Sequence, residues 1–248
     1  LVGLTSRAEM NILNELRMLR LVRHPGILQF FGVAGIGPSR QIALIVEVTH
    51  APDLVTYSRL PSSDADDDGP DETERLQVLL QICRVLRHLH THDPPIMHGG
   101  LRATGVVVEK SLPLPKVKLL EFGIAQMLTA SQAHATGGGG WRYKAPELWQ
   151  AGALPAPAPA IDIFAFGGLM FLLASGERPF SDMSFDEIFF AMRMGRPVHP
   201  NWESRAFSHG VWDSLLPACL QDKSQDRPGM SDIHAALAGH LQRTRLAA

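Results

Sequence analysis

The stretch from Ile163 to Ala174, IFAFGGLMFLLA, carries no charged side chain and is the most apolar run in the chain. A membrane-spanning helix needs about 20 such residues, so this run is too short to cross a bilayer and reads as a helix buried on all sides. Such a helix needs surrounding layers. The 248 residues suffice to supply them, as one large domain or two small lobes. A content of 45% apolar and 19% charged residues is that of a soluble globular chain. A net charge of −2 and a pI near 6.6 give no general basic field for nucleic acid or an anionic membrane. The two cysteines, Cys83 and Cys219, are expected as buried thiols in a reducing compartment. His88, His90 and His92 lie close together, but no second ligand cluster accompanies them and no metal centre is expected.

Residues 8–23 place Met10, Ile12, Leu13, Leu16, Leu19 and Leu21 among Glu15, Arg17 and Arg20, the pattern of an amphipathic helix, which His24-Pro25-Gly26 stops. Two β-prone runs come next, 27–33 and 42–48. Residues 61–74 are acidic with almost no apolar group and read as a solvated loop, with an acidic docking site for a basic partner as the sharper alternative. Helical spacing returns over 75–92, where Leu76, Leu79, Leu80, Cys83, Leu86 and Leu89 would share a face. Strand-like pieces at 105–108 and 117–120 bracket a turn. Gly137–Gly140 reads as a flexible tract, 153–160 as a Pro/Ala loop, and 161–245 as helices joined by loops. A few strands followed by mostly helices predicts an α+β or α-rich architecture.

Six motifs then occur in a telling order. They are Asn14-Glu15 through His24-Pro25-Gly26-Ile27; Leu89 through His98; Lys118-Leu119-Leu120-Glu121-Phe122-Gly123; Tyr143-Lys144-Ala145-Pro146-Glu147-Leu148; Asp162 to Gly167 with Ser175 to Phe180; and Asp226-Arg227-Pro228. In this order and spacing the chain resembles a protein kinase, most closely the tyrosine-kinase-like branch. The resemblance implies an α+β kinase fold, with a partial N-lobe over 1–50 (regulatory helix and two strands) and a mostly helical C-lobe over 51–248. It also implies structural roles. Glu147 and Arg227 would form a buried ion pair, and Asp162 would accept backbone N–H bonds from the catalytic loop. His98 and Phe122 would stack with Leu19 and Phe30 in an apolar column joining the lobes.

Kinases position ATP, magnesium and an acceptor hydroxyl, and stabilise charge. The family pattern His-Arg-Asp-Leu-Lys-x-x-Asn corresponds here to His98-Gly99-Gly100-Leu101-Arg102-Ala103-Thr104-Gly105. Gly100 stands where the base aspartate belongs, and losing a positioned general base typically costs about 10²–10⁴ in rate, roughly 3–5 kcal/mol. Arg102 replaces the phosphate-steering lysine with a planar cation. Gly105 replaces the metal-binding asparagine, and Glu121 holds a carboxylate one methylene further out than the magnesium-binding aspartate, which a strict octahedron tolerates poorly. Gly99 offers no guanidinium to a phosphorylated Thr129, Ser131 or Thr136.

Glu15 matches the helix glutamate. Neither a glycine-rich loop nor any lysine occurs before Lys110, so without an ammonium partner Glu15 reads rather as an exposed helix charge. Because the chain begins at Leu1, those elements are expected upstream if they exist. The expectation is a catalytically impaired pseudokinase that serves as a signalling interaction or allosteric module. Its partners would be proteins, another kinase or a signalling protein, with no nucleic acid and no membrane span. No cofactor is assigned, ATP and magnesium entering only with residual nucleotide binding through Glu15 and Glu121. Without a signal peptide, the cytoplasm is the expected compartment. The alternative is an active or weakly active Ser/Thr or Tyr kinase whose ATP-binding elements lie upstream.

Overall fold

The computed structural model describes residues 22–36, 41–59, 70–111, 113–120, 140–149, 158–196, 198–201 and 210–247. Along them the chain forms strands β1 (Phe30–Ile36) and β2 (Gln41–Val46), helices α1 (Leu54–Tyr57) and α2 (Glu72–His90), and strands β3 (Val106–Glu109) and β4 (Lys116–Leu119). Helices α3 (Ala160–Ser175), α4 (Phe185–Arg193), α5 (Val211–Cys219) and α6 (Met230–Ala247) complete it. This is an α+β arrangement, a few strands followed by mostly helices, as the sequence predicts. The amphipathic helix expected over 8–23 lies outside the described residues. Among the described residues no helix is long and apolar enough to cross a membrane.

The strands form two antiparallel pairs, β1 with β2 and β3 with β4. In the first pair Ala34 faces Ala43 and Ile36 faces Gln41, with an irregularity between Phe30 and Gly32. Pairing begins later than the β-prone run at Ile27 because the backbone ahead of it is used elsewhere. Leu28 N–H donates to Leu119 O (2.9 Å) and Leu119 N–H donates to Gly26 O (2.8 Å). The hairpin is thereby tied to β4. Gly26 permits this approach, since a Cβ there would lie 2.6 Å from Val85 Cγ2 on α2.

Helix α3 carries the apolar run, and every residue from Ile161 to Ser175 is buried. Two glycines let neighbouring elements reach its axis. A Cβ on Gly167 would come within 2.9 Å of Cys219 Cβ, and one on Gly168 within 2.8 Å of Tyr143 Cδ1. Gly176, in the left-handed region at φ 76°, ends the helix by donating to Leu172 O, a conformation that carries no steric penalty for glycine. Helix α5 packs against α3, and α6 packs against α2.

Helix α2 starts three residues before the apolar periodicity, at a capping box in which Asp71 Oδ1 accepts Glu74 N–H and Glu74 Oε2 accepts Asp71 N–H. Its buried set exceeds one stripe, adding Val78, Ile82 and Val85, because α6 lies on one side and β4 and α3 on the other. Arg75 is 1% exposed. Its Nε donates to Pro70 O (2.7 Å), and Nη1 donates to Leu173 O (2.8 Å) and Ser58 O (3.3 Å). Trp212 is fully buried and its indole donates to Glu72 Oε1 at 2.8 Å. Trp149 is buried in a separate apolar cluster with Phe180, Ile188 and Met192. Cys83 and Cys219 are free buried thiols, the pKa of each pushed up to about 12 by burial.

The late helices are joined through Arg227, whose side chain is fully enclosed. A guanidinium has five N–H bonds, and five acceptors surround this one. Glu147 takes two at 2.7 and 2.8 Å. Carbonyls of Ala160 (2.9 Å), Gln221 (2.8 Å) and Asp222 (3.2 Å) take the rest. Removing one partner of a buried pair typically costs about 3–5 kcal/mol. Glu147→Ala is expected to lower the unfolding free energy by about that amount in a urea titration. Arg227→Lys should lose much of it too, since an ammonium has three donors and no fork.

Three imidazoles join the hairpin's entry to α2. His24 lies 5.2 Å from His88, and His88 lies 4.8 Å from His92, ring centre to ring centre. His24 Nδ1 accepts Gly26 N–H at 3.0 Å, and His92 Nδ1 sits 2.8 Å from His88 O. Burial first, then the neighbouring imidazole, lowers the pKa of both His24 and His88. Folding therefore favours their neutral forms. This contribution is complete above the ordinary histidine value near 6.5 and is lost as pH falls below it. The urea midpoint should drop from about pH 7 to about pH 5, and the drop should be smaller in His88→Gln. A midpoint insensitive to pH contradicts the reading.

Candidate functional site

Asp162, in the first turn of α3, is 1% exposed. Burying a carboxylate requires donors, and three surround it. Oδ2 accepts His98 N–H at 2.8 Å and lies 2.9 Å from His90 Nε2, and Oδ1 accepts Gly99 N–H at 2.9 Å. Two consecutive amides are thus fixed to the start of the most buried helix. Gly99 sits at φ +68°, with open space where a Cβ would stand, so the backbone angle rather than crowding favours glycine there. His98 is buried, 2% exposed.

From this anchor the chain runs through Gly100 and Leu101 into a 3-10 turn, Ala103–Gly105, closed by Gly105 N–H to Arg102 O at 3.0 Å. Leu120 N–H donates to Gly105 O at 2.8 Å, holding the turn against the end of β4. Arg102 Nε donates to Thr104 Oγ1 at 3.0 Å. Two glycines flank its aliphatic stem. A Cβ on Gly105 would lie 3.5 Å from Arg102 Cγ and 3.7 Å from Leu120 O, and one on Gly140 would lie 3.5 Å from Arg102 Cδ. These are ordinary contact distances, so neither position excludes a side chain by crowding.

Gly100, Arg102, Gly140, Tyr143, Lys144 and Asp162 line one cleft. Sequence reasoning misses Gly140 and Lys144 as its walls. By composition Gly140 belongs to a flexible tract, and composition does not say which loop a glycine faces. Its position just before the Trp141–Glu147 segment is the available signal. Lys144 is half-buried, with Nζ 4.6 Å over the Trp149 ring, and Trp149 Nε1 donates to its carbonyl at 3.1 Å. Loss of solvent lowers its pKa. Tyr143 is buried, and burial pushes the pKa of its phenol up.

Glu15, Glu121 and Phe122 lie outside the described residues, as do Leu19, Thr129, Ser131 and Thr136. Among the others, His98, Gly100, Arg102, Gly105 and Asp162 are brought together, while Glu147 and Arg227 meet α3 at its first residue, through Ala160 O. Phe30 opens β1 and is half-buried.

The chemical capacity of the cleft is set by its donors and acceptors. Among the described residues Asp162 is the carboxylate in it, and both of its oxygens already accept hydrogen bonds. No other described side chain lining it is suited to take a proton from a hydroxyl at neutral pH. Magnesium needs oxygen ligands in a strict octahedron. Position 105 supplies no side-chain oxygen, and no group of three His, Cys, Asp or Glu among the described residues could hold a metal ion. Among the described residues, position 105 therefore offers no side-chain ligand to magnesium.

Comparison with known proteins bears on this arrangement. The family model for the protein kinase domain matches residues 4–237. "Probable serine/threonine-protein kinase SIS8" of Arabidopsis thaliana is 24% identical over 235 residues, covering 94% of this chain and 21% of that protein. "Serine/threonine-protein kinase VIK" of the same plant is 25% identical over 89% of this chain and 48% of its own length. "SNF-related serine/threonine-protein kinase" of Homo sapiens is 27% identical over 90% of this chain and 27% of its own length. The chain spans between about a fifth and a half of the curated relatives it matches. With the match running through nearly its whole length, over a fold and motif order of the same kind, the chain belongs to the protein kinase domain family.

Proposed function

We propose that this chain is a pseudokinase of the tyrosine-kinase-like branch, a kinase-shaped module of the cytoplasm that engages another kinase or a signalling protein instead of transferring phosphate. One observation carries the reading. The loop that should present the base is anchored by Asp162 through His98 and Gly99, yet the next residue is Gly100. A hydrogen atom cannot orient or accept a hydroxyl proton, and a missing general base costs about 10²–10⁴ in rate. Gly105 removes a metal ligand from the same turn. These losses do not add strictly, but each acts in one direction.

The scaffold groups are kept while the chemical ones are replaced. Glu147, Asp162 and Arg227 retain full sets of partners. That asymmetry suits a domain selected for its surface and its rigidity. In this reading residues 1–50 contribute a partial N-lobe and 51–248 the C-lobe that docks partners.

A second reading has its own support. The relatives named above are serine/threonine-protein kinases, and Glu121 keeps a carboxylate at the metal position. Under it the chain transfers phosphate weakly, with Glu15 and Glu121 holding ATP and magnesium.

A thermal-shift titration with ATP and magnesium separates the two. The pseudokinase reading expects no saturable rise in melting temperature. A rise abolished by Glu121→Ala, or magnesium-dependent phosphorylation of a generic peptide surviving purification controls, would sink it.

A further inference from the structure

Helix α4 buries one side and leaves a second stripe in solvent. Ile188 and Met192 are buried with Trp149 and Phe180, and the helix packs on the 3-10 turn Pro146–Trp149. Its start is fixed by a capping box, in which Ser184 Oγ accepts Glu187 N–H at 3.3 Å and Glu187 Oε2 accepts Ser184 N–H at 2.8 Å. Phe185 stacks on Phe189, with 5.8 Å between ring centres. The outer side is thus carried on a helix that is anchored from within. On it Asp186, Phe190, Arg193 and Met194 follow at i, i+4, i+7 and i+8, the spacing of one helix face. All four are exposed, Phe190 by 64% and Met194, the C-terminal cap, by 71%.

The stripe changes sign along its length. Asp186 begins it and Arg193 ends it, with Arg196 exposed just beyond. Asp186 and Arg193 are two turns apart, about 10 Å along the axis, too far to pair with each other, and neither forms an ion pair with another described residue. The Arg193 guanidinium instead lies 5.8 Å from the Phe189 ring centre. The helix macrodipole favours acid first and base last, which accounts for the order of the charges. It gives no reason for a phenylalanine between them and a methionine beside them to face water.

We propose that this stripe is a self-complementary interface through which two copies of the chain pair, α4 against α4, antiparallel about a two-fold axis at Phe190. A two-fold axis presents the same patch from both sides, so every contact occurs twice, in reciprocal form. Position 190 lies almost midway between 186 and 193. An axis there sets Asp186 against the partner's Arg193 and the reverse, one ion pair on each side, and brings the two Phe190 rings together between them. Phenylalanine, methionine and arginine are the residue types that interface cores favour. A parallel pairing would instead set Asp186 against the partner's Asp186 and Arg193 against the partner's Arg193, like against like. Any other partner must present the reversed pattern, whereas a second copy already carries it. The pairing is weak by construction. A helix of nine residues is about 14 Å long, and contact centred on it falls short of the roughly 800 Å² per partner of a stable complex. A dissociation constant on the order of 100 μM is expected. The inference does not depend on the pseudokinase reading, since an active kinase with this face would pair in the same way.

Sedimentation velocity on the 248-residue chain over a concentration series tests the proposal. The weight-average mass should climb from 27.1 kDa towards twice that value between about 10 μM and 1 mM. Phe190→Ser trims a side chain that already faces water, so the core is untouched, and pairing should weaken at least tenfold. Asp186→Arg and Arg193→Asp should each weaken it as much, because each places like charges across the axis twice. Mixed in equal amounts, these two charge variants should pair again, since each then meets the opposite charge on the other chain at both positions. Only an antiparallel, reciprocal contact makes that prediction. Circular dichroism melts establish that each variant is folded, and if a charge variant is not, Phe190→Ser alone decides. A chain that stays monomeric at about 1 mM overturns the proposal. So does pairing that is unchanged in folded Phe190→Ser, or folded charge variants that remain apart on mixing while the parent chain pairs.

Discussion

A carboxylate sealed beneath the surface must be surrounded by donors or else be protonated, and the donors that Asp162 uses are what give the candidate site its shape. Two come from consecutive backbone amides and one from an imidazole on α2. The carboxylate belongs to a helix that is itself immobilised, buried along its length and held at its first residue by Arg227 through Ala160 O. A chain of contacts therefore runs from Glu147 through Arg227 to α3, and from α3 through Asp162 to the loop at 98–105. Each contact depends on charge-assisted hydrogen bonds in surroundings that exclude water, where a half-satisfied network costs more than none. The positions around Arg102 take no part in this network. Gly100, Gly105 and Gly140 can vary in chemistry without loosening the frame, which is why scaffold and reactivity separate so cleanly in one sequence.

Much of this is legible in the residues. The apolar run identifies α3 because a helix uncharged on every face has only one place to go in a domain of this size. The order of motifs points to the kinase fold, and the protein kinase domain match bears that out. The spacing of Leu76 to Leu89 identifies α2. Its start is harder to see because Asp71 and Glu74 sit in an acidic segment, where a capping box looks like solvated charge. Local propensity places the first strand three residues early for a different reason. Ile27 and Leu28 are as β-prone as the residues of β1 itself, but their backbone is tied to β4 through Leu119, a long-range pairing that local propensity cannot encode.

For the site, sequence order is enough to align Gly100, Arg102 and Gly105, since they are near neighbours in one loop. It cannot bring Gly140 and Lys144 to the same cleft, because nothing in their spacing measures the distance to Arg102. The three neighbouring imidazoles illustrate the same limit. His88, in the last turn of α2, and His92, just past its end, are close in sequence and can be paired from spacing alone, whereas His24 joins them only through the approach that Gly26 permits.

Arg75 has a bearing on chain connectivity. One guanidinium holds the carbonyls of Ser58 and Pro70, which stand on either side of the acidic residues 60–69. The two ends of that segment are therefore fixed to one cation and, through Leu173 O, to the buried helix. Lengthening such a closed loop costs little, about 0.6 kcal/mol for each doubling. Severing the peptide within it would leave all three of these carbonyl bonds in place. A new peptide inserted between Ser58 and Pro70 would therefore begin and end on backbone already held by one cation.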